Sequence, residues 1–335
     1  MTLSRSDGSS VAPLLVATKT GSHEVSGPSE KRPLVSVIIP VYNRAQRLAT
    51  ALRSVAEQTL PDWEAVVVDD GSSDESADVA VRVGLPGKVR VVRHERNQGP
   101  SAARNTGILA ARGRYVSFLD SDDSWHPEKL SRQVEVVEAD SSPGMVLCAT
   151  QTRVLRGSGP ARVLPERAPF PDEPWSEFLY VNGGFAQTNS FLLSRDLALK
   201  VGFRASVLQH EDHLFFLDLG AHGARYRLIM EPLSNWNHDS RADRMGLVAH
   251  FERSRRFLDE ASGLMTEKAR LAFQVRYLGP GLFKESPFKA IRLFRRASAD
   301  GAVAPRQLLA VCVRCALPAP AVGFIKRLLM GANSV

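Results

Sequence analysis

Cysteine is scarce in this 335-residue chain: Cys148, Cys312 and Cys315 are all it has. Three thiols cannot build a disulfide framework, and the pattern suits a reducing compartment. Cys312 and Cys315 form a lone CxxC with no second pair, which argues against zinc and leaves them as small apolar residues on a helix face. Long apolar runs are missing too. The longest uncharged apolar stretch, residues 315–325, is shorter than the roughly 18 residues a spanning helix needs and carries two prolines. No membrane crossing is expected. The first 32 residues lack the apolar core of a secretion signal, and their Ser, Gly and Thr content reads as a disordered lead. A cytoplasmic, non-secreted protein is expected. No GxGxxG follows a strand pattern, which disfavours a dinucleotide-dependent dehydrogenase.

The chain has ordinary globular composition, 44% hydrophobic and 24% charged, and its net charge of +7 is unevenly spread. Residues 250–335 hold 15 Lys and Arg against 6 acids, whereas residues 33–249 hold 24 against 27. A basic tail on a neutral to acidic body suggests contact with an anionic surface, either nucleic acid or the cytoplasmic membrane leaflet, with a solvated helical face as the plainer alternative. The segment ending FIKRLLM, residues 324–330, is amphipathic and basic, so the inner membrane leaflet is the expected partner and nucleic acid is not.

From Pro33 onward, β-rich apolar runs alternate with helical patterns: VSVIIPV, Arg44 to Gln58, WEAVVVDD, Asp74 to Val83, VRVVRHE, Pro100 to Arg112, YVSFL, Pro127 to Ala139, MVLCAT. Strict alternation means βαβ units and a mostly parallel α/β sheet flanked by helices. Residues 151–175, rich in Pro, Arg and Gly, read as a loop or strand pair crossing the sheet's working edge. FAQTNSFLLS reads as a strand, and residues 208–222 as a helix whose first turn carries Glu211 and Asp212. Beyond about residue 250 the pattern is helical. Three regions are expected: a lead at 1–32, an α/β domain at 33–249 and a basic helical extension at 250–335.

Two strands end in acids. YVSFLDSDD delivers Asp120, Asp122 and Asp123 to the carboxyl edge of the sheet, where open α/β sheets bind ligands. Spaced by one residue, Asp120 and Asp122 can share one divalent ion through hard oxygens, which suits magnesium or manganese bound with substrate phosphates. A solvated turn with Asp123 or Ser124 capping the next helix is the plainer alternative. VVVDDGSSD brings Asp69 and Asp70 to the same edge beside Gly71, where an acid can accept hydrogen bonds from a base or ribose. Between them, Asn97 and Gly99 form a turn before Pro100, and the exposed amides of that helix start favour anions within reach of Arg104. Arg104 could equally pair with Asp69, Asp70 or Asp120.

Together, SVIIPVYNR at 36–44, VVDDGSSDES at 67–76, NQGPSAARNTG at 97–107 and FLDSDD at 118–123 resemble the family 2 glycosyltransferases of GT-A fold, in order and spacing. The resemblance covers roughly residues 33–240. It implies an inverting, metal-dependent enzyme that moves a sugar from a nucleotide diphosphate sugar, UDP-sugar first, to a hydroxyl acceptor in polysaccharide or glycoconjugate synthesis. It further implies that Pro40, Val41, Tyr42, Asn43, Asp69 and Asp70 hold base and ribose, with Asn97, Gly99, Arg104, Asp120 and Ser121 completing the donor site. Asp122, with Asp120 and His238, would hold Mn2+ or Mg2+. HED at 210–212 matches the family's ED motif, which makes Asp212 the catalytic base and Glu211 its neighbour. The acceptor, a glycan, a lipid-linked saccharide or another hydroxyl compound, is expected near Thr188, Asn189 and Ser190, by fold analogy.

Other readings fit less well. A sugar nucleotidyltransferase needs a Gly-rich basic loop after the first strand, and PVYNRAQR has no glycine. An aspartyl phosphatase carries its DxD at the first strand, not the fourth. An inactive binding relative would lack Asp212 or the DxD acids, and all are present. His210 and His213 are three apart, not the four that HExxH requires.

Overall fold

The computed structural model describes residues 32–83, 87–157, 159–237 and 251–316. The first half is three βα units: β1 (Val35–Val41), α1 (Ala45–Ala56), β2 (Trp63–Asp69), α2 (Ser76–Val83), β3 (Val89–Arg93) and α3 (Pro100–Ala110). β4 (Tyr115–Phe118) follows, then a short β5 (Ser124–Trp125) and α4 (Lys129–Glu138). The second half runs β6 (Val146–Leu155), β7 (Arg162–Leu164), α5 (Trp175–Tyr180), β8 (Leu192–Ser194), α6 (Arg195–Val201), α7 (Glu211–Ala221) and β9 (Arg225–Asn237). Five helices close the described chain: α8 (Phe251–Ala261), α9 (Glu267–Phe273), α10 (Gly279–Glu285), α11 (Pro287–Ala299) and α12 (Pro305–Ala316).

All the described strands share one sheet in the order β3-β2-β1-β4-β8-β6-β9-β5, with β7 paired to β6. β1 to β4 are mutually parallel, and beyond them β8 runs antiparallel to both β4 and β6. Strand alternation explains the burial of β1. Val35, Val37, Ile39 and Val41 pack with Leu48, Leu52 and Val55 of α1, while Ile38 faces the opposite layer with Ile108 of α3. α3 lies so close that a methyl group at Gly107 would collide with Ile38. Both faces are therefore covered, as a parallel sheet requires.

The C-terminal helices are not a separate layer. Phe257, Phe273, Leu278 and Phe294 belong to the same apolar cluster as Phe118, Phe191, Phe215 and Phe216. The sequence and the fold part in three places. FAQTNSFLLS is a strand only at Leu192–Ser194, because Thr188–Ser190 forms a 3-10 turn. Ser124 enters strand β5, and α4 starts at Lys129 with no side-chain cap, so neither Asp123 nor Ser124 caps it. The thirteen residues of β9 carry no clean alternation, since strand pairing on both sides and a bulge against Thr150–Thr152 shape them. Cys312 lies on α12 and is exposed.

Candidate active site

The carboxyl edge of the parallel strands opens into a cleft of about 740 Å³. Its walls include Pro40, Val41 and Tyr42 at the end of β1, Asp70 after β2, Asn97 and Gly99 before α3, and Asp120, Ser121 and Asp122 after β4. Glu211 and Asp212 reach it from the start of α7. Five segments far apart in sequence thus converge on one cavity, and the reason is topological. Parallel strands point their carboxyl ends the same way, and α3 and α7 both begin at that edge.

The acids at the edge divide into those facing the cleft and those turned inward. Asp70, 3% exposed, accepts backbone N–H bonds from Gln98 (2.9 Å) and Gly99 (2.8 Å) and contacts His94 Nδ1 at 2.6 Å. It fixes the turn that starts α3. Asp69 is fully buried, accepts from the Ser72 amide at 2.9 Å and lies 3.2 Å from Arg93. Between these acids and the next turn, Gly71 has φ +77°, and a Cβ there would sit 2.7 Å from the Arg96 backbone. Asn43, also at positive φ, accepts from the Ser73 amide at 2.9 Å and donates its own amide to Ser72 Oγ at 3.0 Å. Asn43 therefore laces two loops together, and the cleft wall runs past it.

The DSDD run behaves differently at each position. Asp123 is 1% exposed and accepts from Asn189 Nδ2 at 2.7 Å and from the Asn237 amide at 2.9 Å. Burial, reinforced by Asp120 and Asp122, pushes its carboxyl well above the usual range. Asp120 and Asp122 keep an edge in the cleft, where Arg104 donates to Asp120 at 2.8 Å and Arg47 lies 3.5 Å from Asp122. Two clustered carboxylates thus meet two guanidinium groups of the chain itself.

Arg104 is the hub. It is 4% exposed, and its second amino group lies 3.3 Å from Glu211 Oε1. Burial works against its charge, yet Asp120 and Glu211 outweigh that and hold its pKa above the ordinary value. Asp212, next in line, is pushed up to about 6, chiefly by burial, with Arg104 pulling the other way. A carboxylate tuned towards neutrality and facing a cavity can accept a proton from a substrate hydroxyl.

The flanking histidines are neutral. His210 and His213 are each lowered to about 3, first by burial, and they stack at 5.5 Å among Tyr180, Phe257, Phe273 and Tyr277. They bond to Ser254 and Tyr180, respectively. Among the described residues no group of three or more His, Cys, Asp and Glu is set to hold a metal ion. Asp120 and Asp122 still offer hard oxygens towards the cleft, a fit for a magnesium-like ion that takes its remaining ligands from phosphate and water. His238 lies outside the described residues.

Of the residues expected around an acceptor, Thr188 lines the cleft, but Asn189 and Ser190 do not. Asn189 is fully buried against Asp123, and Ser190 Oγ donates to the Gln187 carbonyl at 2.8 Å. The 3-10 turn directs them inward. The β6–β7 strand pair does border the cleft, through Arg156, Arg162 and Leu164. Sequence reasoning missed Phe185, Trp236, Arg276 and Tyr277, which also line it. Arg276 and Tyr277 arrive on a π-helical turn, Gln274–Leu278, that no periodicity announces.

A family model for glycosyl transferase family 2 matches residues 36–185. The amylovoran biosynthesis glycosyltransferase AmsB of Erwinia amylovora is 30% identical over 207 residues, 60% of this chain and 69% of that protein. Among solved structures, S. aureus TarS 1-349 in complex with UDP-GlcNAc matches with a TM-score of 0.56 at 18% identity, over 84% of this chain and 88% of that one. The mannosyltransferase PcManGT from Pyrobaculum calidifontis, in complex with GDP-Man and Mn2+, matches with 0.53 at 19% identity, over 90% and 81%. The fold is that of GT-A glycosyltransferases. The chain belongs to glycosyl transferase family 2 and is a glycosyltransferase.

Proposed function

We propose that the chain is an inverting enzyme in which Asp212 takes the proton of an acceptor hydroxyl as that oxygen attacks the anomeric carbon of a nucleotide diphosphate sugar. The observation that carries this reading is Arg104, which pairs with Asp120 at 2.8 Å and Glu211 at 3.3 Å and so ties the DxD edge to the helix that presents Asp212. Tyr42, 46% exposed at the cleft, offers a ring face to the base. Asp70 orients the amides of the 97–99 turn, and Asp69 holds the DGSS turn beside it. Asp122 with Asp120, and His238 by resemblance, would hold Mn2+ or Mg2+. When bound, such an ion offsets the charge growing on the departing diphosphate. Arg104 keeps Asp120 oriented and lowers the proton affinity of Asp212. His210 and His213, being neutral, add no competing charge beside it.

A UDP-sugar is the donor we favour, in keeping with the UDP-GlcNAc complex of TarS, and the Mn2+ in PcManGT supports the cation. The name of AmsB supports a role in polysaccharide synthesis. We place the acceptor at the Thr188 wall, under the 151–175 segment, and read the basic C-terminal region, residues 250–335, as the part that meets an anionic membrane surface. No described helix is long and apolar enough to cross a membrane.

The test is a donor screen, UDP- and GDP-sugars included, that measures nucleoside diphosphate release with manganese, magnesium or chelator. Asp122→Ala and Asp212→Ala are run beside the wild type. The reading expects release to need a divalent cation and to fall sharply in both variants. Full turnover in either variant would show that the assigned metal site or base is mistaken.

A further inference from the structure

The exposed face of α11 carries apolar and basic residues with nothing acidic among them. Its inner face, Ala290, Phe294 and Ala297, is buried in the common core. On the opposite side, Phe288 is 86% exposed and Ile291 47% exposed, with Arg292 and Arg295 completing an i, i+3, i+4, i+7 stripe and Lys289 beside it. Water solvates a phenyl ring poorly, so such exposure on a helix whose other face is firmly packed calls for a partner.

The charge pattern says which one. From Pro287 to the last residue the sequence holds eight Lys and Arg and a single acid, Asp300. Among the described residues Lys289, Arg292 and Arg295 pair with no carboxylate, whereas Arg296, at the edge of the stripe, meets Glu267 at 2.8 Å. A nucleic acid groove would ask for little apolar area, and an acidic protein would ask for less of it at the centre of the patch. An exposed ring and an aliphatic side chain interleaved with cations along one helix face match the boundary between acyl chains and anionic headgroups.

We propose that α11 is a membrane-docking face, with Phe288 and Ile291 entering the headgroup layer of an anionic bilayer and Lys289, Arg292 and Arg295 meeting its phosphates. This rests on the reading of the basic C-terminal region as a membrane partner, and it moves the contact from the 324–330 segment to a helix that the fold fixes. α11 packs against the π-helical turn that brings Arg276 and Tyr277 to the cleft. The docking face and the active site are therefore joined through packed neighbouring elements, an arrangement suited to a lipid-linked acceptor.

The test uses the full chain and vesicles of phosphatidylcholine alone or with phosphatidylglycerol. Phe288→Ser/Ile291→Ser and Lys289→Glu/Arg292→Glu/Arg295→Glu are compared with the wild type, with circular dichroism and nucleoside diphosphate release confirming that each is folded. The wild type is expected to cosediment with the anionic vesicles, and to release in high salt. Each basic residue near such a surface is worth about fivefold in affinity, so the charge reversal should weaken binding by roughly 100-fold or more; the apolar pair should cost at least about tenfold. A wild type that ignores anionic vesicles overturns the membrane reading itself. Binding that survives both variants overturns only the assignment to α11. A concentration-dependent dimer that Phe288→Ser abolishes, with vesicle binding unchanged, would show that a second copy covers this face instead.

Discussion

Arg104 and Asp120 form a half-buried ion pair at 2.8 Å, and the same guanidinium reaches Glu211, 107 positions after Arg104 in the chain. The donor edge and the base-bearing helix are therefore electrostatically one unit. Because Arg104 lowers the pKa of Asp212, Arg104→Met is expected to raise it above about 6. A base must be ionised to work, so the acid limb of the kcat/KM profile should lie near pH 6 in the wild type and move to higher pH in the variant. An unmoved limb alongside lost activity would mean that Arg104 acts on substrate only.

Asp212→Asn keeps the shape of the side chain and removes its basicity. Nucleoside diphosphate release in the presence of acceptor should fall by about 10²–10⁴. Glu211→Gln keeps an acceptor for Arg104 and should lose less. Steady-state rates at pH 8, where Asp212 is ionised, make the comparison.

Asp123 should behave as a structural acid. Asp123→Ala strands Asn189 and the Asn237 amide, at about 1–3 kcal/mol. Urea titration should register that loss while the manganese concentration for half-maximal activity stays near wild type. For Asp122→Ala the pattern should reverse.

The two buried histidines link stability to acid. Their folded pKa values, about 3, lie below the ordinary 6.5, so between those limits the unfolded chain binds more protons and stability falls as pH falls. Asp212, raised to about 6, and Asp123 and Glu211, also raised by burial, act in the opposite sense. The difference in melting temperature between pH 7 and pH 4 should therefore shift in favour of the acid side in His213→Gln, which removes one of the depressed histidines.

Gly71 and Gly99 separate two costs. Gly71→Ala meets both a positive φ and the Arg96 backbone, whereas Gly99→Ala meets positive φ with open space. Denaturation should show about 1 kcal/mol lost at Gly99 and at least twice that at Gly71.

Much of the parallel half was legible because β-rich runs and helical periods are local signals, and because acids, glycines and prolines at strand ends are punctuation that any reader of the chain meets. VSVIIPV, VVVDDGSS and the Pro100 helix start needed no coordinates. β9 and β5 were not legible, since their pairing partners, not their own alternation, make them strands. Asn189 and Ser190 looked available because the sequence shows a polar triplet and not the direction of the 3-10 turn that buries it.

By itself, then, the sequence determined the α/β class, the order of the edge motifs and the excess of basic residues after position 250. Only the tertiary structure decided that Asp120 and Asp122 of DSDD face the cleft while Asp123 turns inward, that Arg104 joins Asp120 to Glu211, and that Arg276 and Tyr277 complete the wall. The reason is physical: burial, pairing and pKa depend on neighbours brought from a hundred residues away, and a linear pattern records only neighbours along the chain.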